Sequence, residues 1–175
     1  MEQNVSMKIN ELPSPTWNWL KVNETPIKWS NKIEPCEIAA EGDAVATETE
    51  QLSDIETGAG READAIFATE NTAKYQILAD NAGQDKTVRL HISGKKDAHM
   101  AGSVEIVAKE NSTLTVVMDS RVAPDAIKEE DSTAEASLAV RVRMKVESGA
   151  SVRLVQVQMP QEHETLLSDI GGKLI

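Results

Sequence analysis

From Ala73 onward, apolar and polar residues alternate with a period of two, the mark of strands that bury one face. In "KTVRLHI", Val88, Leu90 and Ile92 fall on one side and Thr87, Arg89 and His91 on the other. The longest run, "SLAVRVRMKVE", sends Leu138, Val140, Val142, Met144 and Val146 inward and Ala139, Arg141, Arg143, Lys145 and Glu147 outward. Burying those five apolar side chains contributes on the order of 10 kcal/mol, at about 1.5 to 3 each before chain entropy is subtracted, so this face is predicted to be core. "VRLVQVQM" alternates too, but Val152 and Leu154 are out of phase with Val155, Val157 and Met159. That slip predicts a bend or bulge between 154 and 155, since otherwise the apolar set turns outward.

"KENSTLTVVM" and "ESGASVRLVQV" are one unit used twice, an acidic residue and a small turn followed by an alternating strand, with the second copy one residue longer at the turn. A strand and tight turn recurring at this spacing is what a β-solenoid requires, because each coil stays incomplete until a neighbour covers it. Polar outer positions fit an antiparallel β-sandwich equally well. Either way the fold class is mainly β.

The chain ahead of the strands reads differently. "TGAGREADAIFAT" has Gly58 and Gly60 for a tight path, then helix formers with Ala63, Ile66 and Phe67 at i, i+3, i+4 spacing, which predicts one short amphipathic helix. No strand precedes these glycines and no lysine follows in the phosphate-loop pattern. In "INELPSPTWNWLKVNETPIKW", which holds all three tryptophans, Thr16 is placed to cap a short helix with Trp17 and Leu20 on one face and Trp19 on another. Two apolar surfaces suit an arm laid across either the open end of its own core or a partner. The expected organisation is an amino-terminal arm with a short helix over 1–35, an acidic linker and short helix over 36–70, and strands over 71–175.

Charge sharpens the middle boundary. The 175 residues carry a net charge of -11, and the stretch from Glu34 to Glu70 holds eleven acidic residues against one basic residue, Arg61. Between Ala39 and Thr57 the only large apolar residues are Val45, Leu52 and Ile55, too few to offset chain entropy, so a solvated linker is predicted. An acidic docking surface for a basic partner is the sharper alternative. A net negative chain with 3% aromatics, none of them after Tyr75, is unsuited to nucleic acid, which needs a basic face and stacking rings. No run of 18 uncharged apolar residues and no apolar leader occurs, which predicts a cytoplasmic protein with no membrane span.

Candidate chemistry is sparse. Cys36 is the only cysteine, so no disulfide forms within one chain; Glu34 and Glu37 beside it are expected to raise its pKa and blunt it as a nucleophile. His91, His99 and His163 are scattered, and Asp97 with His99 makes one half of a metal site if "DAHM" is strand. Glu129, Glu130 and Asp131 are consecutive near Pro124 and read as loop, whereas paired catalytic carboxylates converge across a cleft. No catalytic, cofactor-binding or metal-binding residue is therefore assigned, and no enzyme activity is expected.

"LPSPTWNWLKVNE", "TGAGREADAIF", and "VESGASVRLVQVQ" followed by "LLSDIGGKL" together resemble, in order and spacing, the SufB/SufD family of iron-sulfur cluster assembly proteins, and its SufD-like branch more closely. The first is similar to the proline and tryptophan-rich start of SufD-like chains, the last to a mid-chain strand and a "DIG" turn into the next coil. The resemblance implies a right-handed parallel β-helix behind a short amino-terminal helical region. It implies a non-catalytic scaffold subunit that assembles with a SufB-type subunit and a SufC-type ATPase, the iron-sulfur cluster being handled by the whole complex. Nothing in the chain matches the family's later coils, ATPase-binding helices or cluster-holding residues, so the chain is expected to be the amino-terminal part of a longer, truncated product. An uncapped last coil would expose a strand edge, and self-association through the carboxy-terminal end is predicted. The strands alone also fit a carbohydrate-acting or carbohydrate-binding β-helix module, though such a module needs a groove lined with aromatics.

Overall fold

The computed structural model describes residues 4–10, 24–43, 52–68, 70–80, 82–122 and 136–175. The alternating runs become strands: β5 (Ala73–Ala79), β6 (Asp85–Ser93), β7 (His99–Ala108), β8 (Thr113–Arg121), β9 (Ala136–Val146), β10 (Ser151–Gln158) and β11 (Glu164–Leu174). Four shorter strands precede them: β1 (Asn4–Asn10), β2 (Glu24–Ser30), β3 (Glu34–Pro35) and β4 (Glu37–Gly42). One helical turn, Arg61–Ala63, leads into α1 (Asp64–Phe67). The chain is mainly β.

Successive strands alternate between two sheets. One has the order β10-β8-β6-β4; the other has the order β11-β9-β7, with β3 and β5 sharing the far edge of β7. Within each sheet every second strand of the chain pairs with parallel register, β6 with β8 and β8 with β10, β5 with β7, β7 with β9 and β9 with β11. Only β4 runs antiparallel, on β6. The antiparallel ladders expected of a sandwich are thus confined to β4 and to the separate β1–β2 ribbon.

The reason for this pairing lies in the corners. Lys109–Ser112 and Glu147–Ala150 stack, with Asn111 N donating to Ser148 O at 3.1 Å and Ser151 N to Ser112 O at 2.9 Å, so the repeated sequence unit places β10 in register beside β8. Lys109 N donates to Ala79 O, Glu147 N to Ala108 O and Ile175 N to Val146 O, one such bond per level.

Between the sheets lies a core of Val88, Leu90, Ile92, Val104, Ile106, Leu114, Val116, Met118, Leu138, Val140 and Val142, each at most 1% exposed. The inward set predicted for β6 is therefore buried, and so is that of β9 as far as Val142; Met144 and Val146 are partly covered near the end.

The bend predicted in β10 does not occur. The strand stays in unbroken register with β8 from Ser151 to Gln158, so its phase holds and Gln156 takes an inward position, bonded to Ser168 of β11 at 2.9 Å. Val155, Val157 and Met159 are left on the outside at 38, 41 and 49% exposure. A polar pair across the interior has accommodated the slip that a bulge was expected to absorb. The turn expected at "DIG" is likewise absent, since β11 runs straight through Asp169–Gly172.

The outer face of the β7–β9–β11 sheet is covered, against the sequence expectation. Met7, Trp29, Ile33, Ala59, Ala63 and Ile66 form a second buried cluster with Ala101, Ala139 and Leu167, which are outward positions on β7, β9 and β11. The amino-terminal piece therefore lies over the flank of a sheet rather than over an open end of the core. Small Ala101 and Ala139 leave room for Trp29, which is fully buried. The short helix predicted over "READAIFA" is present as α1, with Ala63 and Ile66 buried.

The linker expectation needs the same correction. Glu37–Gly42 is strand β4, and Leu52 and Ile55 are 2% and 5% exposed, packed with Val107 and Leu78. Two large apolar residues suffice because the sheet supplies the rest of the surface. The helix read at Trp17 and Trp19, the residues 44–51 of the linker, and Glu129, Glu130 and Asp131 lie outside the described residues.

Candidate functional site

The outer face of the five-stranded sheet is organised in rows across the strands. One row is apolar, Ala101, Ala139 and Leu167. The next reads Lys74, Ser103, Arg141, Asp169, and the one after it Gln76, Glu105, Arg143, Gly171. A further row reads Leu78, Val107, Lys145, Lys173, and its Leu78 and Val107 pack with Leu52 and Ile55. Two charged rows are therefore held between two apolar patches, each capped by the amino-terminal third of the chain.

Arg141 anchors this polar window. Its side chain is 3% exposed; Nε donates to Asp169 Oδ2 at 2.7 Å, and the guanidinium sits 4.1 Å from the ring centre of Phe67. Nη2 is 2.7 Å from Asp64 Oδ1, an ionic contact whose angle leaves Nη2 without a hydrogen-bond partner.

Asp169, whose side chain is fully buried, also accepts from Ala59 N at 2.8 Å and from Thr57 Oγ1 at 2.7 Å, so one carboxylate ties β9, β11 and the strap 57–59 together. The strap passes so close that a Cβ on Gly171 would lie 2.1 Å from Glu56 O, and Gly58 N donates to Ile170 O. Only glycine fits there.

A cavity of about 310 Å³ opens over the two rows, floored by the strands and walled by Ser53 and by Asp64 and Phe67 of α1. On its floor Glu105 accepts from Gln76 Nε2 at 2.8 Å and from Leu52 N at 3.4 Å, and Arg143 Nε donates to Ile55 O at 3.1 Å.

The residues singled out from sequence lie elsewhere. Cys36 is buried, and its thiol is pushed up to about 12 chiefly by burial, with Glu37 adding to the rise and a backbone hydrogen bond opposing it. Asp97 sits in a turn with φ of 59°, not in a strand with His99, so the proposed half-site is not formed. His99 instead contacts Ser137 Oγ through Nδ1 and packs at a tilt against Trp29. His91 lies on the other sheet, 3.8 Å from both Glu41 and Asp119, and His163 is exposed beside Glu162. No group of three or more His, Cys, Asp or Glu placed to hold a metal ion occurs among the described residues.

Alternation along β9 puts Arg141 and Arg143 on the outward side and gives no sign of the polar window. The available signal was Leu167, an apolar residue at an outward position of β11 that requires a cover.

The fold defines a mainly β protein whose parallel-paired sheets are flanked by an amino-terminal layer. No family model matches the chain, no curated protein is similar to it, and no solved structure matches it. No helix among the described residues is long and apolar enough to cross a membrane.

Proposed function

We propose that this chain is a non-catalytic, SufD-like scaffold subunit of cytoplasmic iron-sulfur cluster assembly, matching the amino-terminal part of such a subunit, with its two sheets forming a right-handed parallel β-helix. The observation that carries the reading is the meeting of two of the resembling motifs across more than a hundred residues. "TGAGREADAIF" supplies Gly58 and Ala59, which donate to Ile170 O and Asp169 Oδ1 of "LLSDIGGKL". Segments that are matched as separate strings thus form one structural unit. Parallel pairing of every second strand supports the β-helix, and the strong preference of parallel crossovers for one hand supports its right-handed sense.

The partner surface in this reading is the end of the stack, where β10 and β11 each pair on one side only among the described residues. A SufB-type subunit would join there, directly or through further coils, and a SufC-type ATPase would bind the assembled pair. Co-purification of the full-length product with SufB-type and SufC-type partners tests the proposal; recovery of the subunit alone, under conditions where the two partners bind each other, sinks it. A glycan-binding role gains no support, because the described strands after Tyr75 offer no aromatic platform.

A further inference from the structure

The geometry points to a binding site for a small molecule bearing a phosphate or carboxylate group, in the cavity over Arg141 and Arg143. This goes beyond the scaffold reading and does not rest on it. Three observations converge.

The unfilled hydrogen-bonding capacity of the cavity is of one kind. Asp169 accepts from Arg141, Thr57 and Ala59, Glu105 accepts from Gln76 and Leu52, and Asp64 faces Arg141, so the acidic groups are engaged. The donors are not exhausted. Arg143 uses Nε alone on Ile55 O, and neither Arg143 nor Lys74 has an ion pair among the described residues. A planar guanidinium with its two terminal nitrogens available is suited to bidentate contact with an oxyanion.

Arg141 adds a positive charge fixed in the wall of the cavity, held at 2.7 Å by both Asp169 and Asp64. It lines the cavity and is 97% buried by side chain, so its orientation is set before any ligand arrives. The hydroxyls of Ser103 and Ser53 complete a set of donors around one space.

The placement is also selective. On either side of the window apolar residues are covered by the amino-terminal segments, Ala101, Ala139 and Leu167 on one side and Leu78 and Val107 on the other, with Lys145 and Lys173 continuing the second row. At about 310 Å³ the space is at the small end of ligand sites. The net charge of -11 opposes anion approach, but beyond about 8 Å it is screened at physiological salt, and the cations of the window act at contact distance.

Calorimetric titration of the full chain with inorganic phosphate and, in parallel, with succinate, at ionic strength fixed by chloride, tests this. Saturable binding of either is expected, with amide shifts in NMR centred on Ser103, Glu105 and Arg143. Phosphate alone binding assigns a phosphate ligand, and succinate alone a carboxylate. Arg143→Ala should weaken binding about tenfold, the loss of one charge-assisted hydrogen bond. Lys74→Glu, at an exposed position whose change leaves the fold intact, should do so at least as strongly. Absence of saturable binding by both anions overturns the inference, as does equal binding by wild type and Lys74→Glu.

Discussion

Arg141 and Asp169 are nearly removed from solvent, and neither is tolerable there alone. Their attraction and the extra bonds to Thr57 and Ala59 offset the desolvation of both charges, whereas deletion of one partner strands the other in a dry environment. Asp169→Ala is expected to destabilise the fold by about 3 to 5 kcal/mol in urea unfolding. Asp64→Ala, at a carboxylate whose side chain is 58% exposed, should cost under about 1 kcal/mol. Equal effects of the two substitutions would contradict the assignment of Asp169 as the anchor. Cys36 provides a second check at this scale: with its thiol pushed up to about 12, it stays protonated at neutral pH and should resist a thiol-specific disulfide reagent in the native protein. Rapid stoichiometric labelling would show that β3 and β4 open readily.

The stacked corners carry the register of the sheets. Gly149 has φ of 69° and follows the same corner as Asn111, φ 58°, one level away; a Cβ at Gly149 would lie 2.3 Å from Asn111 Oδ1. Gly149→Val is therefore expected to lower stability by at least about 1 to 2 kcal/mol, the usual penalty for a left-handed non-glycine residue, with the contact on Asn111 adding to it. A thermal midpoint unchanged from wild type would exclude this. At the same corner Lys109 Nζ donates to Glu147 Oε1 at 2.9 Å, and that hydrogen bond holds the Glu147 carboxyl below its ordinary value of 4.5. A carboxylate with a depressed folded-state pKa contributes stability above its unfolded pKa and loses it as pH falls through the folded one. Acidification from neutral pH to below 4.5 should thus destabilise wild type more than Lys109→Met, and parallel stability curves for the two would refute the linkage.

For the molecule as a whole, the two sheets end differently. β4 covers the edge of β6 in antiparallel fashion, and β3 and β5 cover that of β7, whereas the outer edges of β10 and β11 have no strand beside them among the described residues. Val155 and Val157 are exposed on β10, and Leu174 and Ile175 are 84 and 60% exposed at the end of β11. Unpaired backbone groups flanked by apolar side chains invite another strand. The isolated chain is expected to form dimers or larger species in light scattering, and Val155→Lys with Val157→Lys to shift them toward monomer. A monodisperse wild-type monomer at high concentration would remove the support for docking at this end.

How much of this was legible depended on which contacts each residue makes. Val88, Leu90, Ile92, Leu138, Val140 and Val142 announced a two-sided pattern because their burial depends only on their own strand, whose period of two is local. The duplicated turn of Lys109–Ser112 and Glu147–Ala150 was also readable, since left-handed corner positions select Asn and Gly. The covering of the opposite face was not. Alternation says which residues share a side but not what lies beyond it, and Arg141, Ala139 and Asp169 look solvent-facing until Trp29, α1 and the 57–59 strap arrive from distant parts of the chain. The straight course of β10 belongs with these, because Gln156 could stay inside only once Ser168 of the opposing sheet was there to bond it. Sequence alone thus determined the β character, the inward set and the repeating corner, all products of local periodicity. Tertiary structure alone decided the second buried face and the charged window within it, because both arise where segments over a hundred residues apart exclude water from the same strands.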